Sequence, residues 1–326
     1  MIIKKVLSRV VQMIIVLFVL STITFILMKL TPGDPIDKIF HLDVANVSHS
    51  QIVKTREKLG LNQSIFVQYI QWLWQIVHLN FGQSYQTGEP VINELLYYTP
   101  VTLIIALCTM VTVFVVAIPL GIIAAKEYQT WVDLVIRSVT SFTVSIPSFF
   151  LGTILIYIFA QKFNLLPASG IDSISGYIMP VIALSVGMSA YYVRLMRSNL
   201  IELYQSKEVK ASRLRGMSER YILWRDLFKP AILPVVTMFG MSVGSLIGGT
   251  VVIENLFGIP GLGHFLVDSI RARDYPVVQG AVLMIGFFVV VANTLSDLIL
   301  LWLDPQRRYT HFQTHDDQKS QGGEPL

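Results

Sequence analysis

The residue types that most often carry chemistry are sparse in this chain. The single Cys, Cys108, lies inside an apolar run, where we expect a small buried hydrophobic residue. His311 and His315 precede Asp316 and Asp317 and could bind a metal if this segment were helical. The segment is polar and typical of a disordered tail, so we expect no metal site. An intramembrane enzyme needs a nucleophile or a metal set within the bilayer, and we expect neither.

A glycine-rich stretch is the second chemical candidate. Gly258, Gly261 and Gly263 lie in the run ENLFGIPGLG and resemble a phosphate-binding loop in spacing alone. No Lys-Ser or Lys-Thr pair follows, and the pattern GxxxxGK[ST] does not occur in the sequence. The chain therefore lacks the site of a P-loop ATPase, and we interpret this stretch as a tight turn outside the membrane.

The third candidate is a basic segment over residues 207–234, which separates two apolar runs. Gly216 is a typical C-terminal stop for a helix from about Lys207 to Arg215. Ser218 is a typical N-cap for a second helix from Glu219 to Phe228. Two prolines mark the start of the next apolar run: Pro230 and Pro234. The pattern predicts a helical hairpin.

The surface of this hairpin suits a binding partner. Lys207, Lys210 and Arg213 recur at every third position of the first helix. Ala211 and Leu214 form a small apolar patch beside these cations. A helix with these features fits a groove of another protein, or it binds anionic lipid, and composition leaves both possibilities open.

The chain that positions these three candidates is strongly apolar. Of its 326 residues, 53% are hydrophobic and 14% are charged, and the mean hydropathy is +0.60. Because so little charge cannot cover a soluble globule of this size, the composition indicates a membrane protein. Six apolar runs have the length of a transmembrane helix, which predicts an all-α fold with six spans. They lie at about 10–30, 101–125, 134–160, 177–196, 231–253 and 277–303, with Pro119, Pro147 and Pro180 expected to kink or end helices.

The basic residues predict how the chain lies across the membrane. The first apolar run is longer than the hydrophobic region of a signal peptide and is followed by a poor cleavage site, so we predict a retained helix. With the N-terminus inside, seventeen of the twenty-five Lys and Arg residues lie on the cytoplasmic side. This bias predicts that both termini are cytoplasmic. Because the cations lie between membrane spans, we expect no nucleic-acid partner despite the net charge of +4.

The segment between the first two runs is predicted to be a long loop outside the membrane. Helical spacing is present at residues 51–59 and 64–78. The second of these helices carries an apolar stripe formed by Ile65, Tyr69, Trp72, Leu73 and Ile76. We expect the stripe to lie on the membrane surface or on the transmembrane bundle. Docking of a partner protein is the alternative.

Two patterns inside the predicted spans concern helix packing. Gly240, Gly244 and Gly248 repeat at intervals of four and allow close approach of a helix from the same chain or from another subunit. Asn293 and Asp297 share a face near the end of the sixth run. We expect this pair to form hydrogen bonds that tie helices together.

The basic segment resembles the cytoplasmic EAAxxxG signature of the permeases of binding-protein-dependent ABC importers. The signature falls on Lys210, Ala211, Ser212 and Gly216, with Lys in place of Glu and Ser in place of the second Ala. The following run GMSER, over Gly216–Arg220, and the AILP run after it resemble one branch of that family. This branch handles dipeptides, oligopeptides and nickel or opine-type metallophores.

Three further motifs occur in the order of that family. The run TPVTL at 99–103 resembles the start of its core domain, and IPSFFLG at 146–152 resembles its PxFxxG segment. The run ENLFGIPGLG at 254–263, with RDYP at 273–276, resembles its last outer loop. The resemblance implies the type I ABC importer permease fold.

The resemblance implies the core permease domain, and the apolar runs and the polar tail predict the other parts of the chain. The first transmembrane helix (1–30) is followed by an extracellular loop with amphipathic helices (31–98), a core permease domain (99–305) and a disordered cytoplasmic tail (306–326). The hairpin at 207–228 would couple to a separate ATPase. The coupling residues are then Lys207, Lys210, Ala211, Ser212, Arg213, Gly216, Ser218 and Glu219. The residues facing a binding protein are Glu254, Gly261, Arg273 and Asp274.

The partners implied are a second homologous permease, one or two ATP-binding subunits, an extracellular solute-binding protein and the lipid of a bacterial cytoplasmic membrane. We expect no cofactor or metal on this chain, because ATP and Mg²⁺ would be used by the ATPase subunit. The cargo is a small peptide or a complex of nickel or another metal with a metallophore. The alternative is an ion-coupled secondary transporter, which requires several charges at mid-membrane, and the predicted spans carry almost none.

Overall fold

The regular secondary structure is helical in the part that the computed structural model describes, which comprises residues 2–30, 36, 39–40 and 48–303. The helices are α1 (Ile2–Leu30), α2 (His49–Lys58), α3 (Ile65–Val77), α4 (Val91–Lys126), α5 (Trp131–Val144), α6 (Ser148–Leu155), α7 (Ile178–Tyr204), α8 (Lys207–Leu214), α9 (Glu219–Tyr221), α10 (Phe228–Leu256), α11 (Leu262–Ala272) and α12 (Tyr275–Leu303). A π-helical segment, Ile156–Lys162, extends α6, and another, Ile222–Leu227, joins α9 to α10. The predicted all-α fold is confirmed. The predicted tail, with His311 and His315, lies outside the described residues.

Among the described residues, five helical stretches are long and apolar enough to cross a membrane. They are Ser8–Leu30, Val91–Lys126, Ile174–Tyr204, Glu219–Leu256 and Tyr275–Ile299. The third predicted span, 134–160, is not one helix, because α5 and the extended α6 meet at an angle of 99°. Pro147 lies in the break, where its ring and its effect on the preceding residue both disfavour a continuous helix. The total is six where this bent pair counts as one span.

The contacts within the chain define two compact units. Unit 1 contains residues 1–108, 149–184 and 246–290, and unit 2 contains residues 109–148, 185–245 and 291–326. Each unit therefore gathers segments that are distant in sequence.

The core of unit 2 joins α4 and α7 to the basic hairpin. Tyr192, Met196 and Leu200 of α7 are almost completely buried in it. A Cβ atom placed on Gly121 would lie 2.7 Å from the Cβ of Met196, so the backbone of α4 approaches α7 closely. This contact leaves α7 firmly held at the end that leads into the hairpin.

In unit 1 the apolar stripe of α3 packs against α1. The ring of Phe25 lies 5.1 Å from that of Tyr69 and 5.7 Å from that of Trp72, measured between centroids. The hydroxyl groups of Tyr69 and Thr22 are hydrogen-bonded at 2.6 Å. Ile65, in contrast, is 61% exposed. The two helices expected in this loop are confirmed, and Tyr69 and Trp72 of the stripe contact a membrane span.

Two glycines of the small-residue stripe of α10 have different surroundings. A Cβ atom on Gly240 would overlap the side chain of Ser296, so this glycine allows α12 to approach closely within the same chain. At Gly248 nothing lies within 4 Å. Within the described part of the chain, the buried Oδ1 atom of Asn293 has no hydrogen-bond partner, so the expected link is not found at this atom.

Two expectations about reactive side chains are corrected. Cys108 is exposed rather than buried, because it lies on an outward face of α4. Residues 240–244 read GMSVG, a GxSxG pattern, although we expected no nucleophile motif. This pattern lies within α10 rather than at a strand-to-helix turn, and Ser242 accepts a hydrogen bond from the Tyr192 hydroxyl at 2.7 Å. Ser242 is therefore a packing residue of unit 2.

Candidate functional site

The basic hairpin, defined here as Ser206–Phe228, begins with a well-capped helix. The hydroxyl of Ser206 accepts a hydrogen bond from the backbone N–H of Val209, and Glu208 lies in the first turn. At the other end the N–H of Gly216 donates to the carbonyl of Arg213, and that of Met217 donates to the carbonyl of Ser212. These bonds form a Schellman motif, which satisfies the last carbonyl groups of α8.

Gly216 has φ +78°, the left-handed conformation that the sequence predicted for a helix stop. The hydroxyl of Ser218 then accepts a hydrogen bond from the N–H of Tyr221, so Ser218 is the predicted N-cap. Both ends of the turn are therefore fixed by local chemistry.

The second arm differs from the prediction, because it does not end at Phe228. Helical structure continues from Glu219 to Leu256 through both Pro230 and Pro234. The π-helical segment Ile222–Leu227 precedes the prolines, and the N–H of Phe228 bonds to the carbonyl of Leu223, five residues back. Because the wider turns displace the Asp226 carbonyl, which lies four residues before Pro230, the helix accommodates the Pro230 ring. Pro234 lies farther along, inside the α-helical part of α10. The second arm is thus the first part of a membrane span.

The inner face of the hairpin is anchored in the core of unit 2. Val209 of α8 and Ile222 are completely buried, and Leu223 and Leu227 are at least 98% buried. All four belong to the cluster that contains Leu200. Burying such side chains stabilises the packed hairpin by about 1.5–3 kcal/mol each. The hairpin is therefore packed firmly against α7 and α10.

Two polar links join the arms. Buried Ser212 donates a hydrogen bond to Asp226 Oδ2 at 3.1 Å and accepts one from Arg215 at 3.3 Å. At the surface, the guanidinium of Arg213 donates to both carboxylate oxygens of Glu219, at 2.6 and 3.1 Å. The hydrogen bonds to Glu219 raise the pKa of Arg213 above its usual range.

The remaining side chains of the hairpin are presented outward. Leu214 is 90% exposed, and Trp224 is 55% exposed. The exposed residues predicted to couple are Lys207, Lys210, Ala211, Arg213, Gly216, Ser218 and Glu219. Ser212 is the exception, because it is 3% exposed and acts inside the hairpin. The outward face combines cations with large apolar side chains.

The structure also contains an ion pair in unit 2 that the sequence analysis missed. Arg197 donates to both carboxylate oxygens of Asp133, at 2.6 and 2.7 Å, and the N–H of Gln129 donates to Asp133 as well. Asp133 is 1% exposed. The pair joins the first turn of α5 to α7, nine residues before the hairpin begins at Ser206. The sequence signal for this pair was Asp133, a single acidic residue in the first turn of an amphipathic helix.

The second candidate region lies in unit 1 and is centred on the carboxylate of Glu254, which is completely buried. Thr102 donates a hydrogen bond to it at 2.6 Å, and the N–H groups of Gly263 and His264 donate at 2.7 and 3.0 Å. The N–H of Leu262 donates to the Thr102 hydroxyl at 2.8 Å. We call this arrangement the Glu254 clasp, and it joins α4, α10 and the start of α11.

The glycines of the run ENLFGIPGLG explain how this carboxylate fits. A Cβ atom on Gly261 would overlap the Glu254 carboxylate, and one on Gly263 would lie 2.6 Å from the Cα of Val251. The backbone N–H groups at the start of α11 therefore approach the carboxylate as they would approach a bound anion. The turn resembles a phosphate-binding loop in sequence because its backbone N–H groups also bind an acidic group. Here that group is the Glu254 side chain of the same chain.

Three of the four sequence motifs meet at this clasp. Thr102 comes from TPVTL, and Glu254, Gly261 and Gly263 come from ENLFGIPGLG. The third motif is IPSFFLG, in which a Cβ atom on Gly152 would lie 2.6 Å from Leu256. Motifs separated by up to about a hundred and fifty residues in sequence thus form one packed joint.

Asp274 forms a second buried link in unit 1. It is 2% exposed and accepts hydrogen bonds from Ser84 Oγ at 2.5 Å and from the N–H of Gln86 at 3.2 Å. It also accepts one from the N–H of Val277 in the first turn of α12. Nearby, burial and then the Asp274 charge raise the pKa of the Tyr85 phenol. Asp274 thereby holds the loop after α3 against α12.

These positions correct part of the expected binding-protein surface. Glu254, Gly261 and Asp274 are buried, so none of the three can present a side chain or surface to another protein in this conformation. Burial is possible because each carboxylate is satisfied by neighbouring donors. Arg273 is half-buried and ends α11 with φ +58°. The contact role of Arg273 stays a prediction.

Comparison with known proteins agrees with this architecture. The family model described as binding-protein-dependent transport system inner membrane component matches residues 117–309, and its N-terminal companion matches residues 2–106. The chain is 57% identical over 309 residues to the nickel import system permease protein NikB of Staphylococcus aureus strain USA300, covering 94% of this chain and 92% of that relative. Identity to the protein of the same description from strain bovine RF122 is 56% over the same coverage.

Solved structures show the same fold at low sequence identity. An inward-facing form of the MetNI methionine ABC transporter superposes with a TM-score of 0.57 at 17% identity, covering 65% of this chain and 97% of that one. A second crystal form gives a TM-score of 0.54 at 19% identity, with coverage of 65% and 96%. The apolar helices, the motif order and the matched family model agree with one another. The chain belongs to the binding-protein-dependent transport system inner membrane components and is a multi-pass permease of an ABC importer.

Proposed function

We propose that this chain is one of two permease subunits of an ATP-driven nickel importer. The observation that carries the proposal is the 57% identity, over 94% of the chain, to relatives described as nickel import permeases. The cargo would be nickel, free or as a complex with a small metallophore, delivered by an extracellular binding protein. A small peptide is the second candidate cargo, because the GMSER and AILP runs also resemble peptide permeases.

Both termini are proposed to lie in the cytoplasm. This orientation places seventeen of twenty-five Lys and Arg residues inside, if the bent pair α5–α6 crosses the membrane. If the pair returned to its starting side, the nine basic residues from Arg194 to Lys229 would lie outside. The charge bias therefore supports a full crossing by the bent pair.

The basic hairpin is proposed to dock into a separate ATP-binding subunit. Its outward face offers Leu214 and Trp224 among cations, while its inner face is buried in the core of unit 2. A rigid helix with apolar anchors suits a groove of a partner protein. Lipid is a weaker candidate, because Leu214 lies at the tip of a polar turn that is held by the Arg213–Glu219 pair.

ATP and Mg²⁺ would be bound by the partner, since the sequence has no GxxxxGK[ST] pattern. Closure of two ATP-binding subunits would move the hairpin. Because one arm is continuous with α10 as far as Leu256, the displacement would be carried along a membrane span. Such motion would alternate the access of a pathway between this chain and a second homologous permease.

The contact with the binding protein is proposed to involve exposed residues of the last outer loop. Arg271 is exposed and Arg273 is half-buried, and both follow the Glu254 clasp on α11. The clasp would then serve as the support for this surface rather than as a part of it.

The deciding experiment reconstitutes the chain with its partner permease, ATP-binding subunits and binding protein in liposomes. We expect ATP-dependent uptake of radioactive nickel that requires the binding protein. Uptake of a dipeptide but not of nickel would identify a peptide as the cargo and would leave the assignment as an ATP-driven importer unchanged. Transport by the chain alone, driven by an ion gradient without ATP, would instead support the secondary transporter.

A further inference from the structure

Helix α3 carries three distinct faces and no charged residue in its thirteen positions. One face is polar and consists of Gln68, Gln71 and Gln75. The second contacts α1 through Tyr69 and Trp72. The third is apolar and covers roughly a third of the circumference of the helix. It is formed by Phe66, Val67, Ile70, Trp74 and Val77.

The contacts with α1 fix the level at which α3 lies. Tyr69 is hydrogen-bonded to Thr22, and Trp72 stacks on Phe25. Lys29 donates a hydrogen bond to Gln68 at 2.5 Å. One turn of α3 therefore spans the last two turns of α1.

This level lies inside a bilayer. The apolar part of α1, Ser8–Leu30, has its midpoint at Val19. With a rise of 1.5 Å per residue and a hydrocarbon core of about 30 Å, the boundary falls near Lys29. Thr22 is then about 10 Å below the boundary. The contacts with Thr22 and Phe25 thus place the α1-facing side of α3 within the hydrocarbon.

The third face of α3 is exposed in the part of the chain that the structure describes. Phe66 is 72% exposed, Trp74 is 68% exposed and Val77 is 75% exposed. The neighbouring helix α1 exposes Ile23 and Ile26 there, at 48% and 49%. Both helices, which touch at Thr22 and Phe25, thus expose large apolar side chains near their contact. The continuity indicates that the medium that covers α1 also covers this face of α3.

The polar face is turned to a different environment. Gln68, Gln71 and Gln75 line a cavity of about 130 Å³ together with Lys29 and Tyr85. A helix with amide side chains toward a polar cavity and apolar side chains on its other sides has the pattern of an in-plane membrane helix. The lack of charge allows it to lie deeper than a basic amphipathic helix would.

We propose that α3 is an in-plane membrane helix whose Phe66, Ile70 and Trp74 contact lipid acyl chains. The leaflet is the one that holds the Leu30 end of α1, which is the outer leaflet in the proposed orientation. The loop between the first two spans is therefore anchored in the membrane at this helix. The anchor would hold the Gln-lined cavity at the membrane surface.

The test uses spin labels on the full chain in lipid nanodiscs. Cys108→Ser removes the single native thiol. Single cysteines are then introduced as Ile70→Cys, Trp74→Cys and Phe66→Cys, with Gln71→Cys as the matched neighbour on the polar face. Relaxation of each label by oxygen, which concentrates in lipid, is compared with relaxation by a water-soluble chromium complex.

We expect the oxygen-to-chromium ratio at residues 66, 70 and 74 to exceed the ratio at residue 71 severalfold. Ratios at residues 66, 70 and 74 as low as that of a label exposed to water would place this face in water and overturn the proposal. Labels at 66, 70 and 74 that are shielded from both reagents would show a protein cover and would also overturn it. Since no step depends on the cargo or the ATPase, failure here leaves the proposed function untouched.

Discussion

The basic hairpin and the Glu254 clasp use charged residues in opposite ways. In the clasp, a completely buried carboxylate is surrounded by three donors of the same chain. In the hairpin, the pair formed by Arg213 and Glu219 is half exposed, with side-chain exposures of 47% and 57%. Leu214 stands open beside it at 90% exposure.

The difference separates a joint between helices from the proposed docking surface. A buried carboxylate whose oxygens accept hydrogen bonds from donors of its own unit is not available to another protein. It holds the helices of that unit together. An exposed ion pair contributes little to stability and leaves its neighbours free to meet a partner. We therefore expect changes at the clasp to act on stability, and changes at the hairpin to act on coupling.

The largest effect on stability is expected at the clasp glycine Gly263. In Gly263→Val the new Cβ would meet the backbone of Val251 at 2.6 Å, which no side-chain rotation can relieve. We expect a loss of about 3 kcal/mol, the upper part of the range for overpacking. Gly248→Ala is the control, because nothing lies within 4 Å of that glycine. Thermal unfolding in detergent measures both, and equal stability of the two variants would contradict the clasp.

A smaller loss of stability is expected when the carboxylate of the clasp, Glu254, is changed. Glu254→Ala leaves the hydroxyl of Thr102 and the N–H groups of Gly263 and His264 without their acceptor in a buried site. Glu254→Gln keeps an acceptor oxygen and the size of the side chain. We expect Glu254→Ala to be less stable than Glu254→Gln by roughly 2 kcal/mol. Indistinguishable unfolding curves would mean that the hydrogen bonds do not hold the joint.

At the hairpin, Gly216 provides a test in which stability and coupling separate. Gly216→Val forces a β-branched residue to φ +78°, at a cost of about 1–2 kcal/mol. Gly216→Asn is the matched control, because Asn tolerates this conformation. We expect the Val variant to insert into the membrane but to lose ATP hydrolysis stimulated by the binding protein. Normal stimulation in the Val variant would argue that the hairpin geometry does not matter.

The smallest effects are expected at the links between the two arms. Ser212→Ala removes the buried bond to Asp226 and should destabilise the protein by about 1 kcal/mol. Arg213→Gln removes the exposed pair with Glu219 and should cost less than about 0.5 kcal/mol. Chemical unfolding of the two variants side by side checks the order. A larger cost for Arg213→Gln would reverse our assignment of the buried and exposed links.

Much of the hairpin could be predicted from the sequence, because its turn depends on local signals. Gly216 and Ser218 were identified because a helix stop and an N-cap depend on residues only a few positions apart. The continuation through Pro230 was missed, because it depends on the hydrogen-bond spacing of the preceding π-helical segment. A proline in sequence does not reveal whether the turn before it is wide.

The clasp was harder to predict, because its partners are distant in sequence. Glu254 lies 152 residues from Thr102, and a carboxylate beside a glycine-rich turn has the sequence pattern of an exposed loop residue. Asp133 and Arg197 are separated by 64 residues and were missed for the same reason. The break at Pro147 was visible as a proline, but its angle of 99° was not.

The central claim, that the hairpin is the docking surface for an ATP-binding subunit, is tested most directly at its tip. Leu214→Glu places a charge on a side chain that is 90% exposed and makes no contribution to the core of unit 2. Ile174→Glu is the matched control, with 87% exposure in the segment before α7, on the proposed outer side. The measurement is co-purification of the ATP-binding subunits with each full-length variant from membranes.

We predict that Leu214→Glu loses the ATP-binding subunits, while Ile174→Glu retains them at the level of the unmodified chain. Retention by both variants would contradict the account, because a charge at the tip would then leave docking intact. Loss by Ile174→Glu alone would also contradict it, and would place the docking surface on the opposite side of the membrane.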